Sequence, residues 1–226
     1  MRTLLYRICR GICRLIFLPC HVRVVGQLEL ERGSLLLVGN HISHFDPPAL
    51  GICVRPVVDF MAMKDLFAAG WSDWLFTNIF AIPVDREGSG TEALRIALQR
   101  LNEGRIVGVF PEGGLRTGDE SMLETVPLPP GAALLSLKAE CPVVPVLVLG
   151  TDQLYARQAW WRRPELRIEF LPAIYPVRDG KRVGRSELNQ EIDQAIKGAY
   201  QRWKASEEFL KELVPVSAQE RWADEA

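Results

Sequence analysis

The chain has 226 residues, of which 48% are apolar and 24% charged, and its formal net charge is −1. These values are typical of one folded domain with a sizeable core, and the near-zero charge gives no basic field that would favour nucleic acid. The five cysteines are odd in number and show no zinc-type pairing, so we expect reduced thiols in a cytosolic compartment. No run of about 18 or more apolar residues occurs, so no ordinary membrane-spanning helix is expected.

Residues 2–18 form the first predicted element, an amphipathic basic helix. At about 100° per residue, Arg7, Arg10 and Arg14 fall in one wedge, and an apolar set falls on the other side. The apolar set comprises Leu4, Leu5, Ile8, Ile12, Leu15 and Ile16. The pattern is typical of a segment in a membrane interface, with the arginines contacting anionic headgroups. A helix packed on its own domain fits equally well. A secretory signal fits poorly, because arginines interrupt every candidate apolar core.

From Leu35 onward, short apolar runs alternate with helical patterns. Strands are predicted at residues 35–38, 57–61, 106–110, 143–149 and 166–170. Helices are predicted at residues 65–79, 91–101 and 131–139, and a longer one is capped by Ser186. This alternation predicts a single α/β domain with a mostly parallel central sheet flanked by helices, preceded by the N-terminal membrane-associating helix.

Polar and charged residues collect where the candidate strands end. Asn40 to Asp46 follow the first strand, Asp85 and Arg86 follow the apolar stretch 79–84, and residues 111–117 follow the strand at 106–110. Ligands of parallel sheets bind beyond the carboxyl ends of the strands. We therefore expect one functional site at this edge of the sheet.

His41 and Asp46 are the candidate catalytic pair. A neutral imidazole can take a proton from an alcohol as that alcohol attacks a carbonyl. A carboxylate that accepts the Nδ1 proton fixes the tautomer and supports the developing positive charge, which resembles two-thirds of a serine-hydrolase triad. The alternative is that His41 caps a helix or lies in the core and that Asp46 is a turn residue before Pro47.

Four ordered blocks in residues 35–150 resemble the glycerol-phosphate and lysophosphatidic acid acyltransferase family. The blocks are Asn40-His41-x-Ser43-x-x-Asp46, Phe80-x-Ile82-x-x-x-Arg86, Phe110-Pro111-Glu112-Gly113 and Val144-Pro145. The resemblance implies that His41 is the general base and that Asp46 orients it. It also implies substrate-binding roles for the other block residues. These are Asn40, Ser43, Arg86 on the acceptor phosphate, Glu112 and Gly113 at the acceptor site, and Pro145 at the acyl-donor site.

The third block departs from the family pattern, because Gly114 and Leu115 both precede Arg116 and place it one position late. Two glycines give this loop the freedom to bring Arg116 to a phosphate. The alternative for Arg116 is a solvated loop charge. Backbone N–H groups near Gly113 and Gly114 are candidates for stabilising an oxyanion.

The resemblance implies an O-acyltransferase that moves a fatty acyl group from acyl-CoA or acyl-ACP to a lysophospholipid hydroxyl. The default acceptor is 1-acyl-sn-glycerol 3-phosphate, which gives phosphatidic acid. Another lipid or glycolipid alcohol, a thioesterase on the same frame and a non-catalytic lipid-binding protein are the alternatives. No metal or other cofactor is expected. The partners would be the two substrates and an anionic lipid surface, with the protein peripheral or monotopic on the cytoplasmic face of a membrane.

We assign residues 1–28 to the membrane-associating segment, 29–213 to the acyltransferase domain and 214–226 to an acidic C-terminal tail.

Three further features have competing interpretations. His44 with His41 and Asp46 suggests a metal site, but a clear further ligand is missing, so we expect His44 to line the site or lie on its surface. Trp160 and Trp161, followed by two arginines, fit either a membrane contact or an ordinary loop. Trp71 and Trp74 lie three residues apart in a predicted helix. We expect them in the core or in the wall of an acyl pocket.

Overall fold

A computed structural model of the chain describes residues 1–28, 33–85, 88, 90–206 and 210–223. The strands of the main sheet are β1 (His21–Val25), β2 (Leu35–Gly39), β3 (Val58–Met63), β4 (Ile82–Val84), β5 (Ile106–Val109), β6 (Val143–Leu149) and β7 (Glu165–Phe170). The α-helices are α1 (Arg2–Ile16), α2 (Asp46–Cys53), α3 (Gly70–Asn78), α4 (Thr91–Asn102), α5 (Gly131–Ala139), α6 (Ala159–Arg162), α7 (Arg185–Lys204) and α8 (Ala218–Ala223). A separate small hairpin joins β8 (Val177–Arg178) and β9 (Lys181–Arg182).

The main sheet has the strand order β1-β7-β6-β2-β5-β3-β4. Only the β6–β7 pair is antiparallel among the neighbouring pairs of these described strands. The predicted α/β domain with a mostly parallel sheet is therefore confirmed. Because β2, β3, β4, β5 and β6 run in one direction, their carboxyl ends meet at one edge. The residues that follow them are brought together there.

The sheet separates two hydrophobic cores. Side chains of successive strand residues point to opposite faces, so Leu36 and Val38 of β2 pack with α4, α5 and α7, whereas Leu35 and Leu37 pack with α2. Both central strands β2 and β6 are buried along their whole length. Fully buried parallel strands read as continuous apolar runs, which is why these two were predictable from sequence.

The predicted helix at 65–79 is broken into two pieces. Lys64–Phe67 forms a 3₁₀ turn, Ala69 is extended, and α3 begins at Gly70. The break changes which side chains of the helix face inward. Phe76 and Ile79 line an internal cavity, while Trp71 and Trp74 are 73% and 55% exposed. The expectation that the two tryptophans lie in the core or the cavity wall is wrong.

Both ends of the predicted domain need correction. His21–Val25 pairs in parallel with β7, so the sheet begins before the predicted boundary at residue 28. At the other end, α8 packs on the domain, and Arg221 forms an ion pair with the buried carboxylate of Asp152 at 2.6 Å. Residues 214–223 of the segment assigned as an acidic C-terminal tail are thus part of the folded structure.

None of the helices within the described ranges combines the length and apolar character needed to cross a membrane.

Candidate active site

The loop between β2 and α2 carries the candidate base. Asn40 is fully buried, and its amide forms two 2.8 Å hydrogen bonds with the backbone N–H and carbonyl of Val148 on β6. Ser43 is also buried, and its hydroxyl accepts the backbone N–H of Phe45 at 3.1 Å. Both side chains therefore shape the loop that carries His41, and the substrate-binding roles expected for them stay predictions.

Asp46 holds the His41 imidazole through a dense set of hydrogen bonds. Its Oδ2 lies 2.8 Å from His41 Nδ1 and accepts the backbone N–H groups of Ile42 and Ser43, each at 2.8 Å. Its Oδ1 accepts the hydroxyl of Thr151. Asp46 is fully buried and begins α2, where the helix dipole favours a negative charge. With the proton on Nδ1 facing this carboxylate, Nε2 of His41 is left as the basic atom.

Aromatic stacking fixes the plane of the His41 ring. The ring lies on Phe110 with centroids 4.5 Å apart at an angle of 22°, and Phe110 stacks in turn on Phe60 at 6.0 Å. Gly108 makes room for this stack, because a Cβ at that position would lie 2.5 Å from the Phe60 ring. The His41 side chain remains 16% exposed, so the base is accessible but firmly oriented.

An apolar cavity of about 700 Å³ opens beside His41 and His44. Its walls come from α1, β3, α3 and α5. Representative lining residues are Tyr6, Cys9, Cys13, Met61, Met63, Phe76, Ile79, Ala132 and Leu135. A cavity of this size and character suits a long hydrocarbon chain.

Glu112 supports the His41 loop from outside the cavity. Its Oε2 accepts the backbone N–H of His41 at 2.6 Å, and its Oε1 accepts the N–H of Met122 at 2.9 Å and the hydroxyl of Ser121 at 3.0 Å. Burial raises the pKa of Glu112, and these hydrogen bonds oppose the rise. Both carboxylate oxygens are used by the protein, and the acceptor-site role expected for Glu112 stays a prediction. Gly113, with φ of 66°, does line the cavity.

The other expected substrate ligands have different outcomes. The backbone N–H of Arg116 donates to the His41 carbonyl at 2.8 Å, while its exposed guanidinium lies 3.3 Å from Glu120. Pro145 is buried inside β6 opposite Val38 and does not line the cavity, and its donor-site role stays a prediction. Arg86 lies outside the described residues, and its phosphate-binding role stays a prediction.

The arginines of α1 do not share one outward face. Arg10 donates to the carbonyls of Val54, at 2.9 Å, and Arg55, and Arg14 approaches the carbonyl of Ile52 at 3.5 Å. The free carbonyls and negative dipole at the end of α2 attract these guanidinium groups. Arg10 is thus turned towards the protein and Arg14 stays exposed, and the membrane-contact roles expected for both stay predictions.

The outward residues of α1 are instead mostly apolar, and Arg7 is exposed beside them. The exposed apolar face of α1 comprises Leu4, Ile8, Ile12 and Leu15, which are 62%, 51%, 51% and 66% exposed.

The two tryptophans near α6 also differ. Trp160 donates its indole N–H to the Leu154 carbonyl at 3.2 Å, packs against Phe45 and is half-buried, and its membrane-contact role stays a prediction. Trp161 is 87% exposed and remains available for an external contact.

Sequence reasoning missed Thr151, which binds Asp46, and Tyr155, which binds His44. Thr151 did carry a signal, since it follows the end of β6 at the same edge of the sheet as His41.

The chain is an α/β domain with a buried carboxylate–histidine pair beside an apolar cavity. These features define a class of enzyme that acts on substrates with long apolar parts. The family model described as Acyltransferase matches residues 21–149. The 1-acyl-sn-glycerol-3-phosphate acyltransferase of Bacillus subtilis (strain 168) is 32% identical over 149 residues, which cover 65% of this chain and 72% of that protein. The protein of the same description in Saccharomyces cerevisiae is 27% identical over 142 residues, covering 62% of this chain and 46% of the relative.

The fold has a counterpart among solved structures. The crystal structure of the 1-acyl-sn-glycerophosphate (LPA) acyltransferase PlsC from Thermotoga maritima superimposes with a TM-score of 0.72 at 21% identity, covering 91% of this chain and 82% of that chain. The chain belongs to the acyltransferase family and is an O-acyltransferase.

Proposed function

We propose that this enzyme transfers a fatty acyl group from an acyl thioester to the free hydroxyl of 1-acyl-sn-glycerol 3-phosphate, giving phosphatidic acid. The observation that carries the proposal is the His41–Asp46 pair at an apolar cavity of about 700 Å³. The names of the relatives supply the acceptor. Either acyl-CoA or acyl-ACP serves the chemistry equally well, because the reacting group is the same thioester.

The reaction needs one base and a positioned carbonyl. His41 Nε2 removes the proton of the acceptor hydroxyl as its oxygen attacks the thioester carbon. Asp46 keeps the proton on Nδ1 and stabilises the imidazolium that forms. When the C–S bond breaks, His41 returns the proton to the leaving sulfur, so a new ester and a free thiol are the products.

The nucleophile in this mechanism is the substrate hydroxyl. The described residues that line the cavity include no serine, threonine or lysine. Cys9 and Cys13 do line it, but burial raises the pKa of both thiols, which favours the unreactive protonated form. Direct transfer without an acyl-enzyme intermediate therefore fits the site best.

The acceptor phosphate is assigned to arginine. Arg86 follows Val84, a cavity-lining residue at the carboxyl end of β4, by two positions in the sequence. A guanidinium group offers paired donors that match phosphate oxygens. Arg116, whose backbone is bonded to His41, is a second candidate once it leaves Glu120.

A lipid surface is the proposed working environment. The apolar face of α1 defined above is exposed, whereas the opposite face of the same helix, including Tyr6 and Cys9, lines the cavity. Exposed apolar side chains on one helix, flanked by Arg7, suit the boundary between headgroups and acyl chains. Lipid substrates would then reach the cavity from the surface on which α1 lies.

The catalytic proposal is tested by replacing the base. His41→Ala should lower kcat about 10²–10⁴-fold, because that is the usual contribution of a general base. The assay uses labelled acyl-CoA or acyl-ACP with and without 1-acyl-sn-glycerol 3-phosphate, followed by product separation. His21→Ala is the matched control, since His21 is exposed on β1 and absent from the cavity wall. Acyl release that ignores the acceptor would indicate a thioesterase, and normal transfer by the His41 variant would refute the mechanism.

The membrane proposal is tested by making the outer face of α1 polar. Changing Leu4, Ile8, Ile12 and Leu15 to Ser should reduce co-sedimentation with anionic vesicles, while activity on a soluble short-chain acceptor is retained. The control makes the same change at Val126 and Tyr175, which are exposed away from α1. Unchanged vesicle binding by the α1 variant would remove this helix from the membrane role and direct attention to Trp161.

A further inference from the structure

His44, three positions after the base, is held by a tyrosine from a distant part of the chain. The Tyr155 hydroxyl lies 3.0 Å from the backbone nitrogen of His44 and 2.6 Å from its Nδ1. His44 is exposed and lines the cavity together with His41. The His44 side chain, at the mouth of the cavity, is thus held through Nδ1, and the rest of its ring is accessible.

These two contacts fit a neutral His44 that accepts the Tyr155 hydroxyl proton at Nδ1. A backbone N–H only donates, so the hydroxyl oxygen accepts there and its single proton is available for Nδ1. A neutral imidazole that accepts at Nδ1 carries its own proton on Nε2. Burial and the neighbouring His41 lower the pKa of His44, which favours this neutral form. In this tautomer the ring offers one N–H donor, at Nε2, beside the base.

The C-terminal helix fixes the tyrosine. The indole N–H of Trp222 donates to the Tyr155 carbonyl at 3.1 Å, and the two rings meet edge to face with centroids 6.2 Å apart. Phe45 contacts the Tyr155 ring from another side, at 5.7 Å. The orientation of His44 therefore depends on α8 as well as on its own loop.

We propose that His44 donates its Nε2–H to the thioester carbonyl oxygen as negative charge develops there, and that Tyr155 is a positioning residue that maintains the required tautomer. The inference rests on the proposed acyl transfer. No proton is transferred by His44; the hydrogen bond strengthens as the oxygen gains charge, while His41 carries the proton of the hydroxyl. A neutral donor suits an oxygen that is charged only during the reaction, whereas a permanently anionic phosphate is better bound by a cation.

The kinetic test compares variants of the full chain. His44→Ala should lower kcat about 10²-fold, the usual effect of losing one oxyanion donor, with little change in KM for either substrate. His44→Gln supplies an amide N–H and should recover part of the loss, whereas His44→Phe should not. Tyr155→Phe should lower kcat less than His44→Ala. A rise confined to the acceptor KM would place His44 on the phosphate and overturn the proposal, as would wild-type kcat in His44→Ala.

The second readout does not depend on activity. The ¹⁵N NMR signals of the His44 imidazole in the full chain should report a proton on Nε2 at neutral pH. In Tyr155→Phe the two tautomers should mix, and Trp222→Ala should cause a smaller change in the same direction. An unchanged tautomer in Tyr155→Phe, or a doubly protonated His44 in the wild type at neutral pH, refutes the assignment. An inactive wild type that shows the expected tautomer would count against the proposed function instead.

Discussion

Glu112→Gln separates a positioning role from a substrate-binding role. In the wild type, Oε2 accepts the His41 N–H at 2.6 Å, while Oε1 accepts Met122 N–H and the Ser121 hydroxyl. An amide has only one accepting oxygen, so at least one of these N–H groups would face the NH₂ group of the variant. A buried donor left without a partner costs about 1–3 kcal/mol. Relief of the buried charge offsets part of this cost, so we expect a modest loss of stability.

The effect on catalysis should be larger than the effect on stability. Displacing the His41 backbone moves the base away from the substrate hydroxyl, and a shift of about 1 Å typically costs about 10²-fold in rate. Steady-state kinetics should therefore show a lower kcat with nearly unchanged KM for both substrates, in a protein that urea unfolding shows to be folded. Glu92→Gln is the matched control, since Glu92 is exposed on α4, forms an ion pair with Arg95 and does not line the cavity. A higher acceptor KM with normal kcat in Glu112→Gln would refute the positioning role.

Two further predictions concern charge. Arg86→Ala should raise the acceptor KM about 10–100-fold with little effect on the donor KM, because a hydrogen bond to a charged group contributes about 1.5–3 kcal/mol. A change confined to the donor KM would place Arg86 on donor phosphates instead. Burial raises the pKa of Asp152 from 3.8 to about 6, although Arg221 opposes the rise. The folded chain thus binds this proton more readily than the unfolded chain, so the resulting stability is present below about pH 4 and lost as the pH rises through about 6. Urea unfolding across this range should show that the difference in unfolding free energy between the wild type and Asp152→Asn shifts by roughly 3 kcal/mol against the wild type, because Glu112 and the other carboxyls titrate in both proteins.

Local apolar runs predicted most of the sheet, and non-local pairing explains what was missed. β2 and β6 are buried on both faces, so their composition alone identifies them. β1 is an edge strand with mixed exposure, and its partner β7 lies far along the chain, so no pattern in residues 21–25 reveals the pairing. The prediction of one helix at 65–79 was wrong for a different reason. The break at Ala69 leaves the apolar content of the segment unchanged but shifts which side chains face inward.

In the active site, too, local contacts were predictable from the sequence and non-local contacts were not. His41 and Asp46 are five residues apart on one strand–helix junction, so their contact was predictable. Glu112 and Thr151 reach this junction from 71 and 105 residues away. Their contacts exist because β5 and β6 flank β2 and place the following loops beside it. The family resemblance suggested that Glu112 and Asn40 bind substrate, whereas the geometry shows that backbone groups already bind their polar atoms.

The amphipathic sequence of α1 predicts an arginine face and an apolar face, but it does not predict which face packs on the protein. Arg10 donates to the carbonyls of Val54 and Arg55, just after α2, and this contact turns its side of the helix towards the protein, while Arg7 and Arg14 stay exposed. The apolar side then faces outward, opposite to the usual arrangement of a helix on a soluble domain. Since the inner face also lines the cavity, the thickness of one helix, about 10 Å, separates the cavity from the outer surface of α1. On a lipid surface, a substrate chain would therefore have a short path around α1 from the bilayer to His41, with no need for the enzyme to cross the membrane.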